Sequence, residues 1–212
     1  MNENGTATII RDPADEALGQ LCQELAGCSA SLLKAGPDGT PPWSREQLEL
    51  CGRYGVYEWF LDPAVGGQGW NDVDLVKGYL ALSAACLSTT FIITQRTGAC
   101  RRIAGSGNEF ACQHLLPGLV TGETFSTVGL SHLTTSHRHL GRPVLRAEQT
   151  SGGFLLDGFS PWVTGATMAN SIVVGASLDD GRQVLIVVPM DHQGVEVHPP
   201  AQLMALSSSH TG

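Results

Sequence analysis

Residues 115–130 read LLPGLVTGETFSTVGL, and the periodicity of the chain changes inside this stretch. Up to Gly122, apolar residues recur at helical spacing. After it, short β-branched and apolar runs alternate with glycine-rich turns. The change predicts an α+β chain. An all-helical domain covers residues 1–121, and a small antiparallel β-barrel or sandwich domain covers 122–212, the latter truncated at its C-terminal end.

Working back from Gly122, about five helices are expected. The first runs from Asp15 to about Lys34, with Leu18, Leu21, Cys22, Leu25, Leu32 and Leu33 on its apolar face, and is broken by Gly36-Pro37-Asp38-Gly39. Ser44, with Gln47 three residues on, has the form of a capping box and opens the second, which ends near Gly55. Gly66-Gly67-Gln68-Gly69 is too glycine-rich to stay helical. Asn71 or Asp72 caps a third helix over Val73 to Leu87, Ser88 caps a fourth reaching towards Ala104, and Asn108 caps a fifth from Glu109 to about Leu116. Gly78 to Gln95 carries no charge, but its serines, threonines and Gln95 favour paired core helices over a membrane span.

Working forward, strands are expected at Phe125–Leu130, Pro143–Gln149, Phe154–Leu156, Ser171–Ala176, Val184–Val188 and Val195–Val197. Ser151-Gly152-Gly153 and Asp179-Asp180-Gly181 provide hairpin turns.

Composition narrows the function. The 212 residues are 42% hydrophobic and 15% charged, enough apolar content for a real core. Twelve Lys and Arg against 20 Asp and Glu give a net charge of -8, the wrong sign for nucleic acid. Six cysteines, none in a Cys-x-x-Cys pair, read as buried reduced thiols in a cytoplasmic protein. His132, His137 and His139 lack a carboxylate or cysteine partner at ligand spacing, so a polar loop is preferred to a zinc site. Neither a Rossmann fingerprint nor a Walker loop is present, and Gly129-Leu130-Ser131-His132-Leu133 lacks the second glycine of a nucleophile elbow.

The strongest local motif is Gly158-Phe159-Ser160-Pro161-Trp162-Val163-Thr164-Gly165-Ala166. On a strand, Trp162 and Thr164 share one face. Their ring and hydroxyl would suit a planar heterocycle, but spacing alone favours a capped β core.

The order of these pieces resembles the acyl-CoA dehydrogenase family, from about Gly55 to Gly212 and more loosely from Asp15. The carriers are Pro63 with Gly66-Gly67-Gln68-Gly69, then Ile103 with Gly105-Ser106-Gly107-Asn108-Glu109, Leu115-Leu116-Pro117 and Gly122-Glu123, then Trp162-Val163-Thr164-Gly165-Ala166, and last Met204 through Thr211. The resemblance implies FAD between the helical and β domains. Trp162 would lie against the isoalloxazine, Thr164 would reach N5, and Leu130 and Ser131 would hold the pyrimidine edge. It also implies α,β-dehydrogenation of an acyl-CoA or acyl-carrier thioester, with Ser136 as a substrate contact. The family's carboxylate base lies in a C-terminal helical domain, so the chain is expected to be a fragment or half of a split enzyme, acting as a homo-oligomer or with a complementary subunit. Where the family continues Glu-Pro-x-Ala-Gly-Ser-Asp, this chain has His132-Leu133-Thr134-Thr135-Ser136-His137-Arg138, and Ser160 replaces a common lysine. Two rivals remain: a flavin monooxygenase of the same superfamily, and a non-catalytic carrier-binding remnant.

Overall fold

The computed structural model describes residues 8–36, 39–134 and 144–212. Among the described residues five α-helices precede Gly122: α1 (Glu16–Ser29), α2 (Arg45–Arg53), α3 (Asp72–Ala85), α4 (Leu87–Ala104) and α5 (Glu109–Thr121). Asn71 and Asn108 cap as expected, their side-chain oxygens accepting from Asp74 N and Ala111 N. Two caps differ. Ser44 makes no capping bond and its hydroxyl is buried without a partner. The α4 N-cap is Cys86 rather than Ser88, because extended backbone at Cys86 separates α3 from α4. Helix α5 also passes through Pro117, where the sequence suggested an end. Leu119, two residues on, is still buried, and the helix stops at Gly122 in the left-handed region.

The helices pack around Trp59, which is 0% exposed and stacked on Trp70 with centroids 4.3 Å apart. The return of the chain beneath this pair explains the glycine cluster. Gln68 N donates to Glu58 O, Gly69 N to Leu61 O and Trp70 N to Trp59 O. A Cβ on Gly67 would collide with the Leu61 carbonyl. Gly78 in α3 faces the indole: its Cβ would lie 2.6 Å from Trp59 Cζ3. Alanine for glycine in an open helix position stabilises by about 1 kcal/mol. Gly19 in α1 is such a position, with nothing near its missing Cβ. Gly19→Ala is therefore expected to raise the urea midpoint, while Gly78→Ala lowers it through overpacking by about 1–3 kcal/mol. Equal shifts of the same sign would contradict this packing.

The second half forms a five-stranded sheet: β1 (Ser126–Gly129), β2 (Leu145–Thr150), β3 (Gly153–Gly158), β4 (Ser171–Ser177) and β5 (Gln183–Pro189). β2–β3 and β4–β5 are antiparallel hairpins. β1 runs parallel to β4 from Ser126↔Ser171 to Gly129↔Val174, and β2 meets β4 in parallel at Arg146↔Ser177. The sheet is thus mixed, not antiparallel throughout. The long connection from β1 to β4, which contains the β2–β3 hairpin, allows a parallel pairing that a tight turn forbids. Residues 195–197, expected as a strand, form none. A short helix absent from the sequence reading, α6 (Ser131–Thr134), follows β1.

β4 is buried along nearly its whole length because both of its faces are covered. Val173 joins the helical core, with Phe125, Val128 and Val187 packed against it. Ile172, Val174 and Ala176 point the other way, into a second cluster with Leu145, Ala147 and Val163. All six cysteines are free thiols, and burial pushes those of Cys51 and Cys100 above the usual range, away from reactive thiolate. Among the described residues no helix is long and apolar enough to cross a membrane.

Candidate functional site

β1 delivers Gly129 and Leu130 to the start of α6. The Ser131 hydroxyl donates to the Pro161 carbonyl at 3.0 Å. A Cβ on Gly129 would overlap the Ser160 hydroxyl, so only glycine lets β1 approach the 158–165 loop this closely. The fold therefore brings together two segments that are 30 residues apart in the chain. Gly175 in β4 plays a similar part, leaving room for the side chains of Leu130 and Leu133. His132 is not in a polar loop as expected. It is 4% exposed, and its Nε2 lies 2.6 Å from the Gly175 carbonyl. His137, His139 and Ser136, the expected substrate contact, lie outside the described residues. Among those described, no group of His, Cys, Asp or Glu could hold a metal ion.

The Trp162–Thr164 segment is a loop, which corrects the expected shared strand face. Trp162 has φ 60, a left-handed conformation rare for a bulky residue, and its side chain is 61% exposed. Thr164 is 2% exposed and its Oγ1 lies 3.0 Å from Thr211 Oγ1. Ring and hydroxyl therefore do not lie side by side: one faces out and the other is buried. The reason is the backbone turn at Trp162, which abolishes strand alternation.

Residues 207–212 hold that turn. Val163 N donates to Gly212 O at 2.7 Å and Gly212 N returns to Val163 O at 3.3 Å. Gly165 N donates to the carbonyls of Ser209 and His210. Thr211 Oγ1 also pairs with Ser209 Oγ at 2.8 Å. This segment is tied in turn to the helices. Ser208 Oγ donates to Leu32 O at 2.9 Å, and His210 Nε2 lies 2.7 Å from Pro41 O while its ring packs edge-on against Trp43. Sequence reading did not find Ser208, Ser209, His210 and Thr211 as supports of the Trp162 loop. Their one local signal is the small hydroxyl residues at 207–209 and 211. A loop strapped down on one side by such a network can hold an apolar ring towards solvent. Left-handed backbone at a non-glycine residue costs on the order of 1–3 kcal/mol and persists only where neighbours impose it.

No family model matches the chain, and no curated protein matches it. Solved structures do. A glutaryl-CoA dehydrogenase from Mycobacterium smegmatis in complex with FADH2 superimposes with a TM-score of 0.74 at 21% identity, covering 94% of this chain and 52% of that one. The prolyl acyl carrier protein oxidase AnaB gives a TM-score of 0.72 at 17% identity, with 93% and 55% covered. FMN-bound TdsC from Paenibacillus sp. A11-2 gives 0.70 at 16% identity, with 92% and 48% covered. The chain spans about half the length of these structures. The expected resemblance to acyl-CoA dehydrogenases holds at the level of the fold.

Proposed function

We propose that this chain contributes the flavin-facing part of an oxidoreductase with FAD as its cofactor, acting in α,β-dehydrogenation of an acyl-CoA or acyl-carrier thioester. The observation that carries the reading is Trp162, an indole held in strained backbone and left 61% exposed. An exposed, pre-oriented aromatic face is costly unless something planar covers it. Similarity in fold to FADH2- and FMN-containing structures names a planar group of the right kind.

The residues present fit a flavin ring in part. Trp162 offers the stacking face. Leu130 and Ser131 sit beside it through the Ser131–Pro161 hydrogen bond, where they can border the pyrimidine edge. Thr164 does not present its hydroxyl, which is buried against Thr211. We assign Thr164 as a positioning residue that locks the loop carrying Trp162. A bound flavin supplies the hydride acceptor of the dehydrogenation. The protein's share is to orient that ring, to exclude water from its covered side through the packed 207–212 segment, and to leave the other face open to substrate.

Further parts of the reading follow from the same fold. Helix α3 leaves Val73, Val76 and Leu80 exposed on one face, which suits a homo-oligomer or a complementary helical subunit. We also place the domain division at residues 121/122 and the protein in the cytoplasm, the latter resting on its six free thiols.

The test is titration of the purified chain with FAD and with FMN, followed by tryptophan fluorescence. Saturable binding is expected, weakened about tenfold by Trp162→Ala through loss of stacking, with the thermal midpoint unchanged because the side chain is exposed. Flavin that binds the variant as tightly as the wild type, or no saturable binding at all, would overturn the assignment.

A further inference from the structure

Helix α3 is apolar on both of its faces. Leu75, Gly78 and Leu82 are buried against the helical core. On the opposite face Val73, Val76 and Leu80 are each more than half exposed, and Ala84 is exposed beyond them. The neighbouring helices are built differently: Glu16, Gln20 and Glu24 are exposed on α1, and Arg45, Glu46 and Glu49 on α2. A surface helix carries one apolar stripe, whereas a helix apolar all round is an interior helix. At the C-terminal end of α3 the apolar surface continues. Leu33, Leu87 and Met204 are exposed around one cavity, with Ala85 at the corner between α3 and α4. These three side chains with Val73, Val76 and Leu80 expose on the order of 800 Å², one partner's share of a standard protein interface and more than a monomer usually leaves to water.

Two features say what covers this face. The first is spacing. Val73, Val76, Leu80 and Ala84 follow one another in steps of three and four, the seam into which the side chains of another helix interdigitate. The second is charge. Asp72 and Asp74 stand in the first turn of α3, and the first turn of α4 holds no acid. Cys86, the N-cap of α4, makes no side-chain capping bond, so the partial positive charge of that helix start is uncompensated by a cap. When two copies of α3 lie antiparallel about a twofold axis, Val73 of one meets Ala84 of the other, and Val76 meets Leu80. The acidic first turn of each copy then lies at the α4 start of the other. The carboxylates of the two copies stay roughly 20 Å apart, the length of a 14-residue helix. A parallel pairing brings all four together. Lys77, beside the seam, is neutralised by Asp74 at 2.9 Å.

We propose that this face is a homodimer interface, on which a second copy of the chain docks with α3 antiparallel on α3. The proposal rests on the homo-oligomer reading of α3 given above and selects it over a complementary helical subunit. A twofold contact uses the same patch on both copies, so the assembly closes at two and leaves no apolar seam exposed. The interface shares no residue with Leu130, Ser131, Trp162 or Thr164, so dimerisation and flavin binding can fail separately.

Sedimentation velocity of the full chain across the micromolar range tests it. The sedimenting mass should rise from one chain to two with concentration and go no higher. Leu80→Lys sets two ammonium groups in the centre of the seam and should weaken dimerisation about a hundredfold or more. The thermal midpoint of the dilute monomer should stay unchanged, because the side chain is exposed there. Val76→Glu should act alike and carries the test if the lysine variant does not fold. Mild oxidation reads the direction of pairing. A mixture of the Val76→Cys and Leu80→Cys variants should give the mixed disulfide-linked dimer above the wild-type background, and Val73→Cys alone should not link to itself. The proposal is overturned if the chain stays monomeric throughout, if the folded Leu80→Lys and Val76→Glu variants dimerise like the wild type, or if Val73→Cys links to itself more readily than Val76→Cys links to Leu80→Cys.

Discussion

Trp59→Ala is expected to cost about 3–5 kcal/mol of folding stability. The side chain is wholly buried, stacked within 4.3 Å of Trp70 at an interplanar angle of 7°, and touched by α3 through Gly78. Removing it leaves a cavity that the surrounding elements cannot fill. Trp70 is held by its backbone bond to Trp59 O and by its indole N–H, which donates to Gln68 Oε1 at 3.1 Å. Gly78 has no side chain to move in. A domain of this size has about 5–15 kcal/mol in total, so the variant should unfold at a much lower urea concentration, with a similar slope if two-state behaviour persists. A loss below about 1 kcal/mol would mean that the Trp59–Trp70 stack is not the centre of the helical core.

Gly67→Ala should be nearly as damaging, by about 3 kcal/mol, for a different reason. The added methyl would strike the carbonyl of Leu61, a backbone group, not the end of a flexible side chain. Relief requires moving the 61–70 segment, and that breaks the hydrogen bonds from Gln68, Gly69 and Trp70 to residues 58–61. The neighbouring Gly66 offers a control. It has φ 86, and a Cβ there would meet only Val120 Cγ1 at 3.7 Å. Gly66→Ala should therefore cost only the left-handed backbone penalty, on the order of 1–2 kcal/mol. Urea denaturation of both variants checks the order; Gly66→Ala proving the worse of the two would contradict the close approach at Leu61.

For the candidate site, two segments singled out in the sequence lie side by side, but their local geometry differs from the expected strand. The Leu130–Ser131 and Pro161–Trp162 segments meet through the Ser131–Pro161 bond. Thr164 lies two residues from Trp162 but faces the opposite environment. The strand assumption failed there because the left-handed turn at Trp162 is imposed by hydrogen bonds to residues 209–212, some 45 positions away, and no local preference of Trp-Val-Thr signals it. Arg96, a cation buried beside the Tyr57 ring, escaped notice for a related reason. It lies at helical spacing from Ile92, Ile93, Ala99, Cys100 and Ile103, so the pattern marks its side of α4 as the buried one, but nothing in the sequence says what a cation meets there.

Sequence alone determined the order of α1–α5 and β1–β5, the Asn71 and Asn108 caps, and the hairpins at 151–152 and 179–181, because each depends on residues within a few positions of one another. Only the tertiary structure decided the parallel pairing of β1 with β4, the outward turn of Trp162, the burial of the Thr164 hydroxyl and the enclosure of Arg96 beside Tyr57. Those features depend on contacts between segments 39 or more residues apart, whose free energy exceeds local backbone preference and leaves no periodic trace in the chain.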